Sequence, residues 1–198
     1  MSINRDVETL PPYEGIALAD VVLVKSERDA AEALAALSQA DVIGFDTESK
    51  PTFAKGEEST GPHLVQLATD DRAWLFQIGA APGEHLRKVL REVLEAPGIL
   101  KVGFGLGDDI RRLRSKLGIE TSNVIDLSTA LRRGERNSLG AKTAVARFFG
   151  QALQKSKRIT TTNWAQSHLS EKQILYAADD AHVALRIYRH WRAATAPE

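Results

Sequence analysis

The 198-residue chain has no cysteine, which excludes a disulfide framework and any thiolate metal centre. It has no excess of either charge, since 26 Lys and Arg balance 26 Asp and Glu. A polyanionic partner would therefore have to be held by local basic patches rather than by bulk charge. No apolar run reaches the ~18 residues that a membrane span needs, and the opening "MSINRDVETL" lacks the apolar stretch of a secretory signal. There is no internal repeat and no low-complexity tract. These absences lead to the expectation of one globular domain in a reducing compartment, with a cytoplasmic location.

The apolar residues that are present alternate between two periods. "DVVLV" (20–24), "DVIGFDTES" (41–49), "GILKVGFG" (98–105) and "NVIDL" (123–127) read as strands, and "LVQLATDDRAWLFQI" (64–78) reads as a hairpin turning at Asp70 and Asp71. "SERDAAEALAALSQA" (26–40) reads as a helix, with Ser26 as its N-cap and Ala30, Ala33, Leu34 and Leu37 as its buried stripe. Residues 83–96, 108–118, 138–149 and 170–193 complete the helices, with Gly118 closing the second of these. Residues 1–17 are irregular, and 50–63 form a polar loop. Strands alternating with helices imply a sheet covered on both faces, with ligand sites beyond the strand ends.

Three stretches carry acids where a core would not want them. In "GFDTES", strand alternation puts Asp46 and Glu48 on one face and Phe45 and Thr47 on the other. A strand end frayed into solvent fits that pattern as well. In "YAADDAHVALRIYRHW", Ala177, Ala181, Ala184, Tyr188 and Trp191 form a core stripe. Tyr176 and Asp180, four apart, share a face beside it, while Asp179 is rotated toward solvent. In "VGFGLGDDIRRL", glycines allow a tight turn before a helix. Asp108 is assigned as the helix cap, which leaves Asp109 free to point elsewhere.

In order and separation, "FDTES", "VGFGLGDDIRRL" and "LYAADDAHVALRIYRHW" resemble the three motifs of the DEDD 3′–5′ exonucleases. Tyr176, four residues before the last acid, matches the DEDDy branch. That branch includes ribonuclease D, the Werner-syndrome exonuclease domain and the proofreading domain of family A DNA polymerases. "NSLGAKTAVARFFGQAL" and the "NW" at 163–164 are closest to the first two. The resemblance covers roughly residues 18–193, the expected exonuclease domain, with 1–17 as an irregular N-terminal segment.

The resemblance implies an α/β, ribonuclease H-like three-layer α/β/α fold with a five-stranded mixed sheet. It implies two divalent cations, Mg²⁺ or Mn²⁺, held by Asp46, Glu48, Asp109 and Asp180, with Asp108 as the alternative second-motif acid. Tyr176 would orient the attacking water. The implied reaction removes nucleoside 5′-monophosphates from the free 3′ end of RNA or DNA. Thr47 and Leu64 are candidates for the terminal sugar and base, and Phe104 and Trp164 for base stacking, although either aromatic also fits the core. Lys155, Lys157 and Arg158, in "QKSKRITTTNW", are candidates for a grip on the phosphate backbone or for a solvated loop. The alternative function is a catalytically inactive exonuclease-like module that binds nucleic acid or a protein.

Overall fold

The structure, a computed structural model, describes residues 9–53, 56–79, 81–132 and 138–195. The reading of residues 1–8 as irregular falls outside these. A six-stranded sheet takes the order β1-β4-β3-β2-β5-β6. Its strands are β1 (Val21–Val24), β2 (Val42–Glu48), β3 (Leu64–Ala68), β4 (Ala73–Gln77), β5 (Leu100–Gly103) and β6 (Val124–Asp126). β2 lies antiparallel to β3 and parallel to β5, while β4 is antiparallel to β3 and parallel to β1. The sheet is therefore mixed, as the family resemblance implied, but with six strands rather than five. The sixth was already present among the apolar runs of the sequence.

Each helix presents the stripe its sequence dictates. α1 (Glu27–Leu37) opens with a capping box in which Ser26 and Asp29 satisfy each other's backbone N–H groups. α3 (Gly107–Leu117) ends on Gly118, in the left-handed conformation at φ 64°. α1, α3 and α2 (Glu84–Leu94) bury Leu37, Leu90, Val93, Leu94 and Leu113 against Ile43, Phe45, Val65 and Phe76 on one face of the sheet. The other face is covered by α5 (Ala141–Phe149), which follows the short α4 (Leu127–Ala130), and by α7 (Glu171–Thr195), which follows the short α6 (Lys157–Thr160).

α7 is the longest element and lies directly on β2 and β3. The contact is possible because β2 has Gly44 where they meet: a Cβ there would stand 1.9 Å from the carbonyl oxygen of Ala181. At its far end Arg189 grips Asp41 through two bonds of 2.7 and 2.8 Å and reaches Asp70 in the β3–β4 turn. Among the described residues no helix is long and apolar enough to cross a membrane.

Ahead of the sheet, the N-terminal segment straps this layer. Tyr13 N–H donates to the Ala152 carbonyl at 2.9 Å, and Ala152 N–H to that of Pro11 at 2.8 Å. Tyr13 stacks on Phe149, and the Arg186 guanidinium lies over both rings. Ile16 N–H donates to the Asp179 carboxylate at 2.8 Å. Asp179 is thus half-buried under the strap rather than turned to solvent, a correction that rotation about the helix axis alone does not reveal.

The closeness of α7 to β2 carries a prediction. Gly44→Ala should cost about 1–3 kcal/mol and several degrees of Tm, because backbone rather than a flexible side chain blocks the new methyl. Gly98→Ala, where a Cβ meets nothing within 4 Å, should leave Tm almost unchanged in the same thermal melt.

Candidate active site

Asp46 and Glu48 leave β2 on the face that α7 covers, and α7 brings Tyr176 and Asp180 down onto them. Asp109 arrives from the opposite layer, around the strand end, at the start of α3. The turn that delivers it is pinned by Asp126, whose carboxylate accepts from Gly105 N–H at 2.9 Å and from Leu106 N–H at 3.0 Å. This placement corrects the assignment of Asp108. The residue before α3 is Leu106, which offers no side-chain cap, and Asp108 lies inside the first turn, exposed and paired with Arg111 at 3.0 Å.

The convergence shows in the proton affinities. Asp46 is held well above the usual carboxylate range, first by burial and then by repulsion from Asp180, Asp109 and Glu48. Glu48 is pushed up to about 8 for the same two reasons, with Asp180 the strongest neighbour. Burial also raises Asp109 and Asp180, against opposing bonds from Thr47 and Lys155 respectively. Burial and Asp180 push the Tyr176 phenol up to about 12. Its hydroxyl stays protonated at neutral pH, within 3.0 Å of the Thr160 hydroxyl.

The donor set is four carboxylates with no imidazole or thiolate, which suits hard divalent ions such as Mg²⁺ and Mn²⁺. Gln66 pairs across from Asp46 on β3. Its amide is fully buried and without a hydrogen-bond partner, a further oxygen and nitrogen beside the acids. Among the described residues, no three acids, imidazoles or thiols stand close enough to enclose an ion as they are arranged. Two of the four carboxylates are engaged elsewhere. Asp109 accepts from the Thr47 hydroxyl, and Asp180 accepts from the Lys155 ammonium at 2.7 Å.

The residues expected to touch substrate divide. Leu64 is fully buried and Trp164 is 1% exposed, packed beside the Tyr176 ring. Both go into the core beneath α7, so neither offers a surface to a base or sugar. Thr47 is buried and spends its hydroxyl on Asp109. Phe104 is half-buried against the α5 side of the core, and Arg158 is exposed. Lys157 opens α6, and its side chain lies outside the described residues. The sequence reading assigned no role to Gln66, Asp126 or Thr160. Only Asp126 left a local trace, at the end of the "NVID" strand.

The family model described as 3′-5′ exonuclease matches residues 21–194. The chain belongs to the 3′–5′ exonuclease domain family. This exonuclease-family domain is 31% identical over 157 residues to the mouse bifunctional 3′-5′ exonuclease/ATP-dependent helicase WRN, a match covering 77% of this chain and 11% of that protein. It is 30% identical over 190 residues to the Aedes aegypti exonuclease mut-7 homolog, covering 85% of the chain and 26% of the relative. The domain therefore spans a minor part of these relatives. The crystal structure of the Aedes aegypti Nibbler EXO domain superposes with a TM-score of 0.76 at 26% identity, covering 91% of this chain and 92% of that one.

The clustered acids make stability fall with pH when no divalent ion is present. Folding raises the Glu48 pKa from 4.5 to about 8, so in that window the folded state binds a proton that the unfolded state releases. Stability present below pH ~4.5 is lost as pH rises toward 8. In EDTA, Tm should decline across this range, and Glu48→Gln should flatten the decline. An equally steep profile in the variant would contradict the assignment.

Proposed function

We propose that the domain is a metal-dependent DEDDy 3′–5′ exonuclease. It would hydrolyse phosphodiester bonds from the free 3′ end of RNA or DNA and release nucleoside 5′-monophosphates. The observation that carries this reading is the meeting of Asp46, Glu48, Asp109 and Asp180 at one strand end, each raised in proton affinity, beside a protonated Tyr176. Membership of the exonuclease family and relatives named as exonucleases support it.

Asp46 and Glu48 from β2, Asp180 from α7 and Asp109 from α3 would hold the divalent ions. Bound Mg²⁺ or Mn²⁺ would supply a water nucleophile at neutral pH and an electrostatic clamp on the transferring phosphate. Tyr176, with its pKa near 12, serves as a hydrogen-bond donor that orients the water rather than as a base. Thr160 accepts from or donates to that hydroxyl at 3.0 Å and so fixes its direction. Arg158, exposed on α6, remains the basic-stretch candidate for gripping the strand upstream.

The test compares 5′-labelled RNA, single-stranded DNA and 3′-recessed duplex DNA with Mg²⁺ and with Mn²⁺. Substrate should shorten as a ladder from its 3′ end, and a 3′-phosphate should block it. Asp109→Asn should lose on the order of 100-fold or more in turnover, whereas Asp108→Asn, on the exposed face of α3, should keep most of it. No hydrolysis of any of the three substrates with either ion would overturn the reading and favour a binding module. A greater loss at Asp108 would shift the second acid by one residue.

A further inference from the structure

The basic stretch ahead of α6 does not lie wholly on the surface. Lys155 turns inward, with its ammonium 2.7 Å from Asp180 and 5.7 Å from the centre of the Tyr176 ring. The Asp180 side chain is 5% exposed and that of Lys155 29%. Lys155 favours the charged forms of Asp46, Glu48 and Asp180 together, as Arg112 does for Asp109. A buried ion pair of this kind costs desolvation on both sides. In a site built to receive cations, the pair must also be broken before Asp180 is free.

We propose that Lys155 is the resident counter-cation of this site: it neutralises Asp180 while no divalent ion is bound, and yields Asp180 to bind substrate phosphate when one is. The inference rests on the reading of the acids as metal ligands. Three features suit Lys155 to the exchange. Its stem is long and unbranched, so the ammonium can move several ångströms without moving the backbone. It sits on a turn, where its N–H bonds the Leu153 carbonyl, rather than on a strand or long helix. It also borders the segment that carries Arg158 and Thr160, so a lysine released from Asp180 keeps a second cation and a hydroxyl close by in the chain. Displacement of this kind is reciprocal: whatever favours the Lys155–Asp180 pair weakens the divalent ion, and the ion weakens the pair by the same factor.

The experiment uses Lys155→Met and Lys155→Arg and begins without nucleic acid, so that it reads separately from hydrolysis. In EDTA, Lys155→Met should melt below the wild type, because Asp180 then faces Asp46 and Glu48 uncompensated. In a Mn²⁺ titration followed by calorimetry or electron paramagnetic resonance, Lys155→Met should bind about 5- to 150-fold tighter, the usual range of such couplings. Lys155→Arg should stay near the wild type. With Mn²⁺ saturating, AMP and dAMP should bind Lys155→Met more weakly than the wild type. Opposite shifts in affinity for Mn²⁺ and for nucleotide are what a purely structural lysine would not produce. Unchanged or weaker Mn²⁺ binding in Lys155→Met would overturn the proposal. If that variant does not fold in EDTA, Mn²⁺ should restore folding, and failure to do so would also overturn it. An inactive wild type with tighter Mn²⁺ binding in Lys155→Met would sink the exonuclease reading and leave this inference standing.

Discussion

Four carboxylates gather toward the end of β2, and the cost of burying them together is the constraint around which this molecule is arranged. Like charges taken out of water together destabilise the fold that gathers them. The rest of the chain makes the gathering tolerable. Protons bind more tightly at Asp46 and Glu48, Thr47 donates to Asp109, and Lys155 sits against Asp180. Four such carboxylates are the donor set that the proposed divalent ions would take.

The architecture supplies the acids from both layers. β2 contributes two of them on the face under α7, α7 adds Asp180 and the tyrosine, and the fourth swings round from α3, with Asp126 holding the intervening turn. α7 can reach the acids because Gly44 lets its backbone touch the sheet, and Ala177, Ala181 and Ala184 keep that side of the helix thin. A bulkier interface would lift Asp180 and Tyr176 away from β2 together.

Much of this was legible in the sequence because it is local. Strand alternation put Asp46 and Glu48 on one face, the four-residue spacing put Tyr176 beside Asp180, and Ser26 and Gly118 marked helix ends. The misreadings share a cause in contacts between distant parts of the chain. Asp108 looked like a cap because Asp commonly is one, but the glycine turn lets α3 start a residue earlier. Asp179 looked solvent-facing because nothing in its helix tells of a strap arriving from residue 16. Leu64 packs into the core beneath α7, as Trp164 does in the core placement its sequence equally allowed, and Lys155 looked like one more loop cation until the fold turned it inward.

The strap has a mechanical meaning beyond packing. Besides Phe149 and Arg186, it grips the chain at Ala152, shortly before Lys155, and at Asp179, immediately before Asp180. These are the two flanks of a single ion pair. How residues 11–16 seat therefore bears on both partners of that pair at once. The first turns of α7 and the loop before α6 are thus tied to one segment, so a single stretch of backbone positions both halves of the pair.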